Sequence, residues 1–156
     1  MAELRDLCGE IGLQNPRTLL ASGNLLFDSP SSDPAGLSQQ LEEAVAGRFG
    51  LKKRIFVLSP EEFRAILQAD PIDPAGKDGA KWAVMFLDEA PSAADVKAFQ
   101  ERHTGPEEVH FQERAVYLYY PDGQGRSKLD LGRCVRSETT VRNQNTLQKI
   151  LDLLES

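Results

Sequence analysis

Val116-Tyr117-Leu118-Tyr119-Tyr120-Pro121-Asp122-Gly123-Gln124-Gly125-Arg126-Ser127-Lys128-Leu129 opens as a strand and empties into a turn. The first five residues are aromatic, branched or apolar, the types that fit a pleated, half-buried surface. Pro121 cannot donate to a ladder and ends the run. Two glycines follow, free to take left-handed backbone, and then two cations, Arg126 and Lys128. A strand that opens into amides and positive charge has the makings of an anion cradle.

Upstream, Val109-His110-Phe111 joins this strand through Glu113-Arg114, a hairpin in prospect. Further back, Trp82-Ala83-Val84-Met85-Phe86-Leu87 is a buried strand, and Ser92 with Asp95 caps a helix carrying Val96 and Phe99. Downstream, a short helical segment is expected around Ser127–Leu131. Thr139-Thr140-Val141 is extended, and Asn143 or Asn145 caps a last helix striped by Leu147, Ile150, Leu151 and Leu154.

The first half repeats the order in part. Leu4, Leu7, Cys8 and Ile11 make a helix stripe closed by Gly12, and Asn15-Pro16 calls for a turn. Residues 17–21 and Leu25-Leu26-Phe27 are strands separated by Ser22-Gly23-Asn24. Asp33 and Pro34 start a helix along Leu37, Leu41, Val45 and Phe49. Ile55-Phe56-Val57-Leu58 is expected to be a buried strand, and Ser59 with Glu62 is a capping box for a short helix. Prolines, glycines and aspartates crowd Asp70–Ala80. The expected division is therefore residues 1–70, a linker at 71–80, and 81–156. The fold class is α+β, two packed ferredoxin-like βαββαβ halves, with the first lacking its opening strand and the chain reading as clipped at its start.

The 156 residues carry a net charge of −6, which argues against coating nucleic acid or an anionic membrane over the whole surface. Charge is uneven, however. Between Pro121 and Lys149 stand the cations Arg126, Lys128, Arg133, Arg136, Arg142 and Lys149, against Asp122, Asp130 and Glu138. No leader or membrane-length apolar run is read, and a cytoplasmic location is expected. The two cysteines, Cys8 and Cys134, form no C-x-x-C and read as structural thiols. His103 and His110 neighbour no nucleophile pattern and are too few for a metal site. No metal, no cofactor and no catalytic motif are expected.

Three polar segments could converge on a small phosphate-bearing or nucleotide ligand. They contribute Ser22, Gly23 and Asn24; Gly123, Gly125, Arg126, Ser127 and Lys128; and Arg142, Asn143 and Asn145. The pattern is neither a Walker A loop nor a dinucleotide-binding fingerprint. Two alternatives stay open. One is an RNA or single-strand binding module stacking bases on Tyr117 and Tyr119; the other is an assembly module that dimerises through an open sheet edge.

Residues 22–27, 121–129 and 139–146 together resemble signatures of the family catalogued as domain of unknown function 1697, small and mostly bacterial cytoplasmic proteins. The resemblance runs in order over essentially the whole chain and implies two ferredoxin-like subdomains. It implies no activity. The family opens with a further strand and glycine-rich loop ahead of the helix that begins here at Met1, and it carries an aromatic residue where Gln144 stands.

Overall fold

The computed structural model describes residues 2–19, 23–30 and 33–155. It is an α+β protein with two small antiparallel sheets. Its contacts divide it into two units. One is Met1–Arg64 with Lys149–Ser156, and the other is Ala65–Gln148. The first division falls between Arg64 and Ala65.

In the first unit, α1 (Ala2–Glu10) is followed by Gly12 at φ 87°, where a left-handed turn returns Leu13 N–H to Cys8 O. β1 (Gln14–Leu19) pairs with β2 (Asn24–Asp28). Asn15-Pro16, expected as a turn, is instead part of β1. Asn15 takes φ 50° and the register shifts between Gln14 and Arg17, so the proline sits at a bulge where no ladder bond is needed. α2 (Pro34–Phe49) has Asp33 as N-cap, Pro34 in its first turn, and Gly50 in the left-handed conformation at its end. Leu37 and Leu41 of α2 close over Cys8 and Leu13, with Leu25, Phe27, Ile55 and Val57 packed against them.

Residues 55–58 are not a strand. Among the described residues they have no partner in either sheet. An apolar run becomes a strand only with a neighbour to take its backbone bonds. Here α2 takes them through side chains: Ser38 Oγ donates to Ile55 O, and Glu42 Oε1 accepts from Ile55 N–H at 3.3 Å. Arg54 Nη1 bonds Ser38 Oγ and Ile55 O, and its guanidinium lies 5.0 Å from the Phe56 ring. Ser38 is accordingly one of two buried polar residues among the described residues. α3 (Pro60–Gln68) starts from Ser59, whose hydroxyl accepts from Glu62 N–H as the capping box requires.

The second unit is a four-stranded sheet in the order β4-β5-β3-β6, antiparallel throughout. Its strands are β3 (Trp82–Leu87), β4 (Glu108–Gln112), β5 (Ala115–Tyr119) and β6 (Thr139–Asn143). α4 (Ala93–Arg102) follows β3 from a Ser92 cap that accepts from Asp95 N–H. Glu113, at φ 46°, turns the β4–β5 hairpin. One sheet face, with Ala83, Leu87, Val116 and Leu118, packs on Phe99, Leu131, Cys134 and Val135. The opposite face carries Val84, Phe86, Ala115 and Tyr117, also buried. Residues 65–80 cross it: Tyr117 Oη donates to Ile66 O at 2.7 Å, Gln112 Nε2 to Ala69 O at 3.1 Å, and Trp82 Nε1 to Asp70 Oδ2 at 2.9 Å. Residues 66–70 are thus a strap on this sheet, leading into the stretch expected as a linker. α5 (Gln144–Glu155) begins where β6 ends, with Asn143 Oδ1 accepting from Thr146 N–H.

Candidate functional site

At one end of the second sheet, β5 finishes, β3 begins, β6 finishes and β4 begins, so four loops share that rim. The turn Lys77–Lys81 is its centre. Asp78 N–H donates to Tyr119 Oη at 3.1 Å, and Lys81 O accepts from Tyr120 N–H at 2.8 Å. Lys81 Nζ reaches Pro121 O at 3.2 Å, and Gly79 O accepts from Gln144 N–H at 3.1 Å. The start of the Pro121 turn and the start of α5 are therefore both tied to this one turn. Lys77 Nζ lies 5.2 Å from the Tyr119 ring centroid, a cation over a π face. A Cβ at Gly79 would meet the Asn145 side-chain oxygen, so the Asn145 amide packs directly on this turn. Asp78 puts one carboxylate among these cations, with Oδ1 accepting from Ala80 N–H.

The rest of the Pro121–Leu129 turn runs the other way. Gly123, at φ 86°, leads into a 3₁₀ turn at Gln124–Arg126, so the helical segment expected at 127–131 lies earlier and is shorter. The amides of Gly123, Arg126, Ser127 and Leu129 bond within the turn, leaving fewer donors for an anion than the glycines promise. Ser127 Oγ donates to Glu107 Oε2 at 2.9 Å, just ahead of β4. Burial pushes the Tyr120 phenol up, helped by the Glu107 charge and opposed by a Gln124 hydrogen bond. Arg126 and Lys128 stand exposed, without an acidic partner among the described residues. β4 and β6 are the two edges of the sheet, about 14 Å apart at three strand spacings.

Arg142 and Asn143 are neighbours on β6 and so point to opposite faces. Arg142 is half-buried. Its Nη1 donates to Thr140 Oγ1 at 2.7 Å and Val141 O at 2.8 Å, and desolvation lowers its pKa. Asn143 caps α5, and Asn145 is exposed beside Gly79. In the first unit, Gly23 is an exposed turn residue at φ 77°, whereas Asn24 belongs to β2 opposite Leu19 and is buried. Ser22 lies outside the described residues. Lys77, Gly79 and Lys81 went unread in the sequence; a lysine on either side of an Asp-Gly turn directly before a strand was the signal available.

His103 stacks on Phe99 with centroids 5.1 Å apart and bonds Glu107 O at 2.9 Å, and His110 bonds Glu108 Oε2 at 2.8 Å. Neither hydrogen bond engages a serine or cysteine. Among the described residues no three His, Cys, Asp or Glu side chains group as a metal site, and no helix is long and apolar enough to cross a membrane.

These features define an α+β protein whose second sheet carries a polar, lysine-bearing rim. The chain belongs to the family described as protein of unknown function (DUF1697), whose profile matches residues 1–117. Of the three segments carrying the resemblance, residues 22–27 lie inside that match, whereas 121–129 and 139–146 lie beyond it. The structure is similar to that of a conserved bacterial protein from Streptococcus pneumoniae at 26% identity and a TM-score of 0.74, covering 99% of this chain and 88% of that one. No curated protein matches.

Proposed function

We propose that the protein binds a small phosphate-bearing or nucleotide anion at the rim of the second sheet, without catalysis. The observation carrying this reading is the pair of hydrogen bonds, Lys81 Nζ to Pro121 O and Gln144 N–H to Gly79 O, that ties two polar segments to one lysine-bearing turn. Lys77 and Lys81 supply point charges, the start of α5 adds its positive dipole end, and Asn145 offers an amide. Arg126 and Lys128 contribute potential from the β4 side, and Arg142 contributes from β6. The same proposal takes each sheet as ferredoxin-like, the second because β4-β5-β3-β6 is that order, and places the protein in the cytoplasm.

The test is a thermal-shift screen with inorganic phosphate and nucleotides on the wild type, Lys81→Ala and Arg126→Ala/Lys128→Ala. A ligand at 100 times its Kd stabilises by about 2.7 kcal/mol. That gain should be lost in Lys81→Ala and reduced in the double variant. Equal stabilisation of all three proteins by every anion removes the rim from consideration. The reading of an RNA module is disfavoured by Tyr117, which is 1% exposed beneath the strap.

A further inference from the structure

β4 is an edge of the second sheet, and what it offers on its open side follows from the bonds on its paired side. Arg114 O accepts from Leu87 N–H and Tyr120 N–H donates to Lys81 O, both at 2.8 Å. Even-numbered residues of β5 therefore bond β3, while Ala115, Tyr117 and Tyr119 bond β4. Their β4 partners are Gln112, His110 and Glu108. Val109 and Phe111 are left turning N–H and C=O to the open side, where no strand pairs among the described residues. Glu108–Gln112 holds no proline or lysine, and its register with β5 is unbroken, so the strand lacks the common devices that blunt an edge. Beside it, α4 and the loop before α4 leave an apolar groove lined by Ala90, Pro91, Ala93, Val96 and Phe111. Phe111 meets Phe99 edge-on with centroids 5.6 Å apart, so the groove continues into the core.

We propose that β4 is a self-pairing edge that joins two copies of this chain, antiparallel, about a two-fold axis through His110. The register follows from which backbone groups are free. An axis through Val109 would oppose Phe111 to the second copy's Glu107, whose carbonyl is already taken by His103 Nε2 at 2.9 Å. An axis through Phe111 would oppose Val109 to Glu113, which at φ 46° has left the strand. The axis through His110 opposes Val109 to the second copy's Phe111, and Phe111 to its Val109, free group to free group on both sides. The side chains fit the same register. On the α4 face each opposed pair is branched against aromatic, a favourable cross-strand combination, and the second copy's Val109 comes to Phe111 at the wall of the groove. On the other face Glu108 meets Gln112, so no acid opposes an acid in a chain of net charge −6. The Glu108 and His110 side chains are 40% and 38% exposed, open to a second strand. A contact of this symmetry closes at two copies.

Sedimentation velocity of the whole chain, from dilute solution to the limit of solubility, tests this. The wild type should shift from one chain to two as concentration rises. Val109→Pro removes an N–H that serves only the open side and puts a ring there, so the monomer keeps its ladder and the dimer is lost. His110→Lys sets two ammonium groups against each other across the axis and should also abolish the shift. Circular dichroism reports whether each variant folds. Hydrogen exchange followed by nuclear magnetic resonance needs no variant: the Val109 and Phe111 amides of the wild type should slow as concentration rises. A wild type that stays monomeric at every concentration overturns the proposal. So does a dimer that persists in either folded variant, or exchange at Val109 and Phe111 that does not change with concentration.

Discussion

Replacing Tyr117 by phenylalanine removes one oxygen atom from beneath the strap and leaves the ring in place. That oxygen donates to Ile66 O at 2.7 Å, and the residue is 1% exposed. Ile66 lies in the last turn of α3, where carbonyls run out of intrahelical partners. The Asp70 N–H, which would continue the helix ladder to Ile66, turns to Leu67 O at 3.4 Å instead. The variant therefore loses a hydrogen bond and also leaves a part-buried carbonyl without its partner. A lost bond costs about 1 kcal/mol, and a stranded buried acceptor about 1–3 kcal/mol, so about 1.5 kcal/mol is expected. For a chain of this size that is a fall in Tm of about 3–6 °C, read in the transition that Trp82 fluorescence follows. Tyr119→Phe is the control. Its hydroxyl accepts from Asp78 N–H at 3.1 Å in a more exposed setting, where water replaces it, and about 0.5 kcal/mol is expected. An unchanged Tm in Tyr117→Phe would refute the covered face. Single-stranded RNA binding by the wild type, abolished in Tyr117→Ala while the fold persists, would refute it more directly.

Tyr117 and Tyr120 should ionise later than free tyrosine on alkaline titration followed by phenolate absorbance, because burial pushes both phenols up, with Asp70 and Glu107 adding to the effect. Their neutral forms belong to the folded state, so the stability they confer is whole below about pH 10 and is lost as pH climbs through the raised values. Loss of structure should therefore coincide with their ionisation. Cys8 and Cys134 are 0% and 1% exposed, and desolvation lifts both thiols, so a thiol reagent should react with them only at the rate of opening and fully in denaturant. Prompt reaction of either thiol in the native protein would contradict the packing described.

The hairpin β4–β5, the buried strand β3 and the Ser59, Ser92 and Asn143 caps were legible because each rests on a local rule: residue type, period or a side chain reaching two or three residues ahead. Ile55–Leu58 was not, since an apolar run states that a segment is buried but not that a neighbouring strand exists. The 71–80 stretch reads as a linker because of its turns. Its aspartates mark turns: Asp70, Asp73 and Asp78 each accept from the amide two residues on, at Ile72, Ala75 and Ala80. Dense turns read as a boundary, and the bonds that residues 66–70 make to the sheet have no local signature. At the site, Arg126 and Lys128 were legible as exposed cations. The pull of Glu107 on Ser127 was not, because nothing local connects positions twenty apart. Nor was the role of Lys81, which depends on β3 and β5 being adjacent.

Ser38 gives one of the buried positions of α2 a sign opposite to the usual rule. Leucine or alanine there would raise the apolar content of the helix's inner face. It would also cut the Ile55 carbonyl from its hydroxyl donor and deprive Arg54 of an acceptor. A hydrophobic improvement on paper would then unfasten the coil that follows α2, so sequence variation at this position is expected to keep an oxygen while the neighbouring apolar residues drift.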